Sequence, residues 1–181
     1  VINGDVHSAN QRLAGLESRD QAKTFIYALC YGARDRKLST ILGKNTRDTK
    51  RIREQFLDNL PSFKTLKDRV ARAATKKFLK GLDGRRLIVR SEHSALNTLL
   101  QGAGSIVMKQ ALVLFRSYIK DLDAKIVANV HDEWQVEVRE DQAEEVGKRG
   151  IQAIIDAGSL LNLNCPLNGE YNVGNNWSET H

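Results

Sequence analysis

The order in which helix and strand signals follow one another constrains the fold of this chain more than any other feature of its sequence. Helical patterns come first, over residues 5–16, 18–31, 46–59 and 62–79. Strand patterns appear only later, at residues 86–90, 125–130, 134–138 and 167–173, and long helices are predicted over 94–121 and 141–157. Because strands and helices do not alternate regularly, the sequence predicts an α+β fold rather than a parallel α/β sheet.

The composition narrows the class of protein. With 181 residues, of which 41% are hydrophobic and 28% charged, the chain fits one globular domain or two small ones and does not fit a disordered protein. No secretory signal opens it, and no apolar run approaches the roughly 20 residues that span a bilayer, so no membrane partner is expected. Cys30 and Cys165 match no zinc or thioredoxin spacing, which indicates reduced thiols and a cytoplasmic protein. The chain begins with Val1, so we expect it to be processed or cut from something longer.

Charge is unevenly distributed along the sequence. Residues 34–90 carry 18 Lys or Arg against 6 Asp or Glu, whereas residues 91–181 carry 7 against 13. A basic middle segment is typical of a surface that holds a polyanion such as DNA, and acidic side chains elsewhere suit metal chemistry. A solvated helical face rich in Lys and Arg explains the basic segment equally well on charge alone.

One predicted helix has the chemistry of a nucleotide site. Its residues Arg19, Lys23, Tyr27 and Tyr31 follow each other at steps of four, and Gly32 comes next. Such steps place the four side chains along one side of a helix over about 18 Å. The N-terminal end offers two cations and the positive pole of the helix, which suit phosphates, and the C-terminal end offers two rings, which suit a sugar and base. The alternative is an ordinary surface helix whose tyrosines pack in the core. Each residue taken singly favours that alternative, but the combination of all of them at this spacing favours a nucleotide site.

A second candidate site lies in a predicted hairpin turn. His131, Asp132 and Glu133 stand between two apolar strands, so the turn exposes both carboxylates in a fixed direction. Mg²⁺ prefers one or two carboxylates together with substrate phosphates, and Asp132 can supply one ligand of a two-metal site for phosphoryl transfer. By itself, a short acidic turn is more often only a polar loop.

Both motifs resemble those of one enzyme family. The run Arg19-x3-Lys23-x3-Tyr27-x3-Tyr31-Gly32 resembles the fingers-helix motif of family A (Pol I-like) DNA polymerases. The surrounding sequence resembles that of the phage replicative branch of this family. The strand–His-Asp-Glu–strand pattern is similar to the motif of that family that binds catalytic metals. The resemblance implies that Arg19, Lys23 and His7 hold the incoming dNTP, and that Tyr27 and Tyr31 shape its sugar and base pocket. It also implies a catalytic set of Asp132, Glu133 and Lys23, with Asp132 as the metal ligand.

A polar stretch between these motifs suggests contacts with DNA. His93, Asn97 and Gln101 recur at steps of four after Arg90, and uncharged Asn and Gln can bond the minor-groove acceptors that all base pairs share. A polar helix face in solvent is the alternative. The resemblance implies that these four residues, together with His131 at the primer end, contact primer-template DNA. It also covers the ending Asn176-Trp177-x3-His181.

The resemblance implies a division of the chain and a reaction. Residues 1–80 become the helical fingers, and residues 81–181 become the C-terminal part of the palm, with a small antiparallel sheet and the metal-binding hairpin. The expected function is template-directed nucleotidyl transfer from a dNTP to a primer 3′-hydroxyl with two Mg²⁺ ions.

The motif that carries the first metal-binding aspartate of the family is missing from this sequence. We therefore expect the isolated chain to be inactive and to need an N-terminal segment or partner chain with that motif, the thumb and the exonuclease. Two alternatives remain open: a non-catalytic primer-template or nucleotide-binding subunit of a split polymerase, and a basic helical DNA-binding protein. A phage origin implies the host cytoplasm as the place of action.

Overall fold

The structure, a computed structural model, describes residues 5–181, which form two compact units. The N-terminal unit holds the described residues up to Lys80 together with Arg86–Leu100. The C-terminal unit holds Gly81–Arg85 and Gln101–His181. Within these residues the chain forms helices and two separate two-stranded antiparallel sheets, which confirms the predicted α+β class.

The N-terminal unit begins with five helices around one apolar core. They are α1 (Val6–Ala14), α2 (Arg19–Cys30), α3 (Asp35–Leu42), α4 (Thr46–Asp58) and α5 (Pro61–Ala74). Phe25 and Phe56 are almost fully buried at the centre, where their rings meet edge to face at 5.7 Å. The short helix α3 is absent from the sequence prediction, because eight residues with two buried leucines give little periodic signal.

Side-chain caps define where α1 and α2 begin. Asp5 caps α1 by accepting hydrogen bonds from the backbone N–H groups of His7 and Ser8. Ser18 caps α2 and accepts from the N–H of Gln21 at 3.1 Å. The Gln21 side chain accepts in return from the N–H of Glu17, one residue before the position that a capping box would use. Both predicted helix starts are confirmed.

A small hairpin follows α5 in the same unit. Strand β1 (Phe78–Lys80) pairs antiparallel with β2 (Arg86–Ile88), and Leu79 packs against Val70, Val89 and Leu96. Helix α5 ends at Ala74, five residues before its predicted end. The chain then passes through Lys77 at a φ of 61°, a left-handed conformation that ends the helix and starts the strand.

The C-terminal unit is built on a long helix, a hairpin and a second helix. Helix α6 (Ala95–Tyr118) follows a 3₁₀ turn at Glu92–Ser94 and contributes its residues from Gln101 onward to this unit. Strands β3 (Ala124–Val130) and β4 (Glu133–Val138) form the hairpin, which α7 (Ala143–Leu160) follows. Phe115 of α6 stacks on Trp134 of β4 at 5.0 Å and joins helix and hairpin.

The tail of this unit differs from its predicted strand. Residues 167–173 form no helix or strand and pair with no strand in the described part of the chain, so the strand prediction there is wrong. The tail lies along α7 instead, and it ends in the short helix α8 (Trp177–Thr180). The strand was predicted because apolar and polar residues alternate in the tail, but the apolar side chains of the tail pack onto a helix.

The helical segment Glu92–Tyr118 has 27 residues and is, by length and composition alone, apolar enough to cross a membrane. The prediction that no apolar segment is long enough to span a bilayer is therefore wrong by length and composition. A helix in the core of a globular protein can meet the same measure.

Candidate nucleotide and metal site

The predicted nucleotide helix exposes one side along its whole length. Arg19, Lys23, Tyr27 and Tyr31 are all exposed, and the two tyrosines keep 49% and 54% of their surface accessible. The opposite side of α2 is buried through Ala22, Phe25 and Leu29. The core contacts of α2 therefore lie on the opposite side from its cationic and aromatic side chains, and the two tyrosines are accessible and not core residues.

Arg19 at the start of this stripe is tied to α1. Its Nε donates to Asp5 Oδ2 at 2.5 Å, and its Nη2 donates to Asp5 Oδ1 at 3.3 Å. The same carboxylate caps α1 and accepts from the hydroxyl of Ser8 at 2.7 Å. Chiefly because of the Arg19 guanidinium, the pKa of Asp5 lies well below its usual range. Asp5 thus orients the cation at one end of the stripe, a role that its sequence position as a helix cap did not reveal.

His7 joins α1 to the aromatic end of the stripe. Its ring lies 5.9 Å from the ring of Tyr27, at an angle of 58° between the planes. Its Nδ1 is buried and has no hydrogen-bond partner within residues 5–181. A buried polar nitrogen without a partner is uncommon in a folded protein, and a ligand or a water molecule would satisfy it.

Gly32, at the end of the stripe, has an internal structural reason. Its φ is 83°, and a side chain there would overlap the backbone carbonyl of His93. The spacing of four predicts that His93 shares a helical face with Asn97, but His93 lies in the 3₁₀ turn that precedes α6. The close approach at Gly32 therefore joins α2 to the segment that carries His93.

The predicted metal turn forms a tight hairpin in the C-terminal unit. Val130 pairs with Glu133, which leaves His131 and Asp132 as the loop. His131 adopts a φ of 53°, a left-handed conformation that costs a non-glycine residue about 1 kcal/mol. Asp132 is exposed, and its carboxylate has no hydrogen bond or ion pair in the part of the chain that the structure describes.

The neighbouring carboxylate, that of Glu133, is held by several hydrogen bonds. Glu133 Oε1 accepts from Gln135 Nε2 at 2.5 Å and from the Trp177 indole N–H at 2.9 Å, and its Oε2 lies 2.8 Å from His181 Nδ1. These bonds, first that of Gln135 and then that of His181, lower the pKa of Glu133. Sequence reasoning did not distinguish the two carboxylates, because the partners of Glu133 lie 44 and 48 residues further along the chain.

Asp132 fits a hard cation that also binds substrate phosphates, because its exposed carboxylate has oxygens free to coordinate. Among residues 5–181, no three His, Cys, Asp or Glu side chains lie where they can share a metal ion. The chain therefore offers one ligand at this turn and not a complete cage.

The other predicted DNA contacts are accessible. Arg90, His93, Gln101 and His131 are exposed, and Asn97 is half-buried in α6. Arg90 and His93 follow β2 in the N-terminal unit, whereas His131 lies in the C-terminal unit.

Comparisons with known proteins identify the family of this chain. DNA polymerase family A matches residues 3–179. A DNA-directed DNA polymerase of Escherichia phage Phieco32 is 40% identical over 191 residues, which cover 100% of this chain and 31% of the phage protein. The DNA-directed DNA polymerase of Escherichia phage T7 is 36% identical over 100% of this chain and 29% of its own length. DNA polymerase I of Pseudomonas aeruginosa is 31% identical over 91% of this chain and 19% of its own.

A solved structure shares the fold. The POL domain of Pol1 from M. smegmatis, in complex with DNA primer-template and dNTP, matches with a TM-score of 0.79 and 26% identity over 86% of this chain and 32% of that one. This chain spans about a third of the length of the phage relatives. The match over nearly the whole sequence shows that the chain belongs to DNA polymerase family A.

Proposed function

We propose that this chain supplies the nucleotide-binding fingers helix and one metal ligand of a DNA-directed DNA polymerase. The reaction is attack of a primer 3′-hydroxyl on the α-phosphate of a dNTP, with pyrophosphate leaving. The exposed stripe of α2 carries the proposal, since it places two cations at one end of a helix and two rings at the other. Family membership and the M. smegmatis neighbour, which is bound to primer-template and dNTP, support it.

Residues of α1 and α2 bind the triphosphate in this proposal. Arg19 and Lys23 contact its phosphates, and Lys23 stabilises the negative charge that grows on the leaving pyrophosphate. His7 adds a contact through its ring, whose Nδ1 has no partner within the described chain. Tyr27 and Tyr31 enclose the sugar and the base, because both rings are exposed at the C-terminal end of the stripe.

Asp132 would hold Mg²⁺, and the ion would supply Lewis-acid activation for phosphoryl transfer when bound. In this proposal a second carboxylate comes from an upstream segment or a partner chain, and within residues 5–181 no three His, Cys, Asp or Glu side chains lie where they can share a metal ion. Arg90, His93, Asn97, Gln101 and His131 contact the primer-template without reading its sequence. Glu133 assists by supporting the turn.

Substitution of Asp132 tests this proposal in the polymerase that contains this chain. Asp132→Ala should reduce primer extension by at least a hundredfold and leave salt-dependent DNA binding nearly unchanged. Asp123→Ala is the matched control, because Asp123 precedes the same hairpin and its carboxylate is likewise exposed without a partner among residues 5–181. Equal activity of the two variants would refute the metal role. Loss of DNA binding in Asp132→Ala alone would favour the alternative of a nucleic-acid-binding subunit.

A further inference from the structure

We infer that Trp177 is a positioning residue for synthesis: its indole N–H holds Glu133 and thereby fixes the direction in which Asp132 points. The inference rests on the proposed function, since it assumes that Asp132 is the metal ligand. It concerns the last residues of the chain, which are far from the turn in sequence and adjacent to it in space.

The tail reaches the turn along a defined track on α7. Leu167 fills the space above Gly158, and the ring of Tyr171 fills the space above Gly147, where a Cβ atom in either place would overlap it. The Tyr171 hydroxyl donates to Glu144 at 2.5 Å. These contacts set how far along α7 the tail lies, and so determine where Trp177 arrives.

The end of the tail is then attached to β4 by three contacts, one of which is the approach of His181 Nδ1 to Glu133 Oε2 at 2.8 Å. The Trp177 N–H donates to Glu133 Oε1 at 2.9 Å, and the Thr180 hydroxyl donates to Gln135 Oε1 at 3.1 Å. Glu133 and Gln135 are two residues apart, so both side chains leave the same face of the strand. Helix α8 is therefore hydrogen-bonded to the first residues of β4, which come immediately after Asp132.

Asp132 itself has no restraint of this kind. Its carboxylate has no partner within residues 5–181, and the residue before it, His131, is in a left-handed conformation. The direction of the Asp132 side chain therefore depends on how firmly Glu133 is held. A hydrogen bond to a carboxylate is stronger than a neutral one, so loss of the indole donor should loosen the turn without unfolding it.

Two tryptophans of the same unit allow a matched test in the polymerase that contains this chain. Trp177→Phe keeps an aromatic ring and removes the N–H that reaches Glu133. Trp134→Phe removes an indole N–H whose nitrogen is buried and makes no hydrogen bond in the described structure. We expect Trp177→Phe to lower kcat about tenfold, with the KM for dNTP and the affinity for primer-template within about twofold of wild type. We expect Trp134→Phe to leave all three values within about twofold.

A double-variant cycle separates positioning from general destabilisation. If Trp177 acts through Glu133, the variant with both Trp177→Phe and Glu133→Ala should be no slower than Glu133→Ala alone. Multiplied losses in the double variant would overturn the inference, as would equal kcat values for the two Trp→Phe variants. If Asp132→Ala remains active, the proposed function fails as well, whereas a silent Trp177→Phe beside an inactive Asp132→Ala refutes this inference alone.

A structural readout that does not depend on activity completes the test. With 5-fluorotryptophan incorporated, the ¹⁹F signal of Trp177 is identified by its loss in Trp177→Phe. Glu133→Ala should shift that signal, because it removes the acceptor of the indole N–H. An unchanged signal would show that the bond does not exist in solution and would overturn the inference.

Discussion

Replacement of Gly32 by alanine should destabilise the N-terminal unit more than replacement of a glycine with a similar backbone conformation. Gly32 has a φ of 83°, and Gly43 at the end of α3 has a φ of 61°. An alanine in this left-handed region costs roughly 1 kcal/mol at either site. The two sites differ in their surroundings. Apart from the glycine, its chain neighbours and nearby helix backbone, no atom of residues 5–181 lies within 4 Å of a Cβ at Gly43, whereas a Cβ at Gly32 would lie 2.7 Å from the carbonyl carbon of His93 and closer to its oxygen.

The difference between the two substitutions follows from that overlap. Carbon atoms pack at about 3.5–4.0 Å, so the backbone at His93 or Gly32 must move by about 1 Å or more to admit the new methyl group. Movement of this size in a packed region costs about 1–3 kcal/mol. We therefore expect Gly43→Ala to lower the free energy of unfolding by about 1 kcal/mol and Gly32→Ala to lower it by about 2–4 kcal/mol.

Urea denaturation of the two variants and the wild type, followed by circular dichroism, measures this difference. The predicted order is wild type, Gly43→Ala, Gly32→Ala, with midpoints that fall in that sequence and with similar slopes. If Gly32→Ala unfolds within about 0.5 kcal/mol of Gly43→Ala, the segment at His93 yields at little cost, and the close approach does not determine the choice of glycine.

Four further predictions follow from the same structure. Lys and Arg side chains within residues 34–90 should bind unrelated DNA duplexes equally, and affinity should fall steeply with salt; titrations in which salt has little effect would contradict a phosphate-binding surface. Primer extension by the 181-residue chain alone should stay at background and return when an upstream segment or partner chain supplies a second carboxylate beside Asp132; robust synthesis by the chain alone would refute this. Tyr27→Phe should make the complete enzyme discriminate against dideoxynucleotides, because in the proposed site the exposed phenol replaces the missing 3′-hydroxyl. Competition assays should show a change of tenfold or more while normal synthesis is little altered, and equal discrimination by both proteins would contradict this. Burial raises the pKa of the half-buried Cys30 thiol, so below that pKa Cys30 holds a smaller fraction of thiolate than an ordinary cysteine does. Iodoacetamide should therefore label the exposed Cys165 faster than Cys30, and the difference between the two labelling rates should shrink as pH rises. Peptide mass spectrometry that finds Cys30 labelled first would contradict this.

Sequence patterns predicted the elements whose signals are local. The start of α2 at Arg19 follows from the Ser18 cap, and its exposed stripe follows from steps of four against a buried face. The hairpin around Asp132 follows from two apolar strands that flank a polar turn. Each of these signals lies within a dozen or so residues, so no knowledge of the rest of the chain was needed.

Elements whose local signal is short or ambiguous were predicted poorly. Helix α3 has too few residues for a clear period, and β1 is a strand of three residues that pairs with β2. The tail at residues 167–173 alternates like a strand but lies on α7, where glycines make room for its large side chains. Propensity does not show which surface an extended segment will meet, because that surface is formed by another part of the chain.

By itself, the sequence determined which residue types stand on the α2 stripe and in the turn, and it supplied the family resemblance through their spacing. The tertiary structure decided what each of those groups is free to do. Asp132 and Glu133 are neighbours of the same charge, yet Trp177 and His181 occupy only Glu133. Asp5 likewise holds Arg19 across 14 residues. Such contacts form where segments that are distant in sequence pack together. The local sequence therefore does not determine the burial of a side chain or its hydrogen-bond partners.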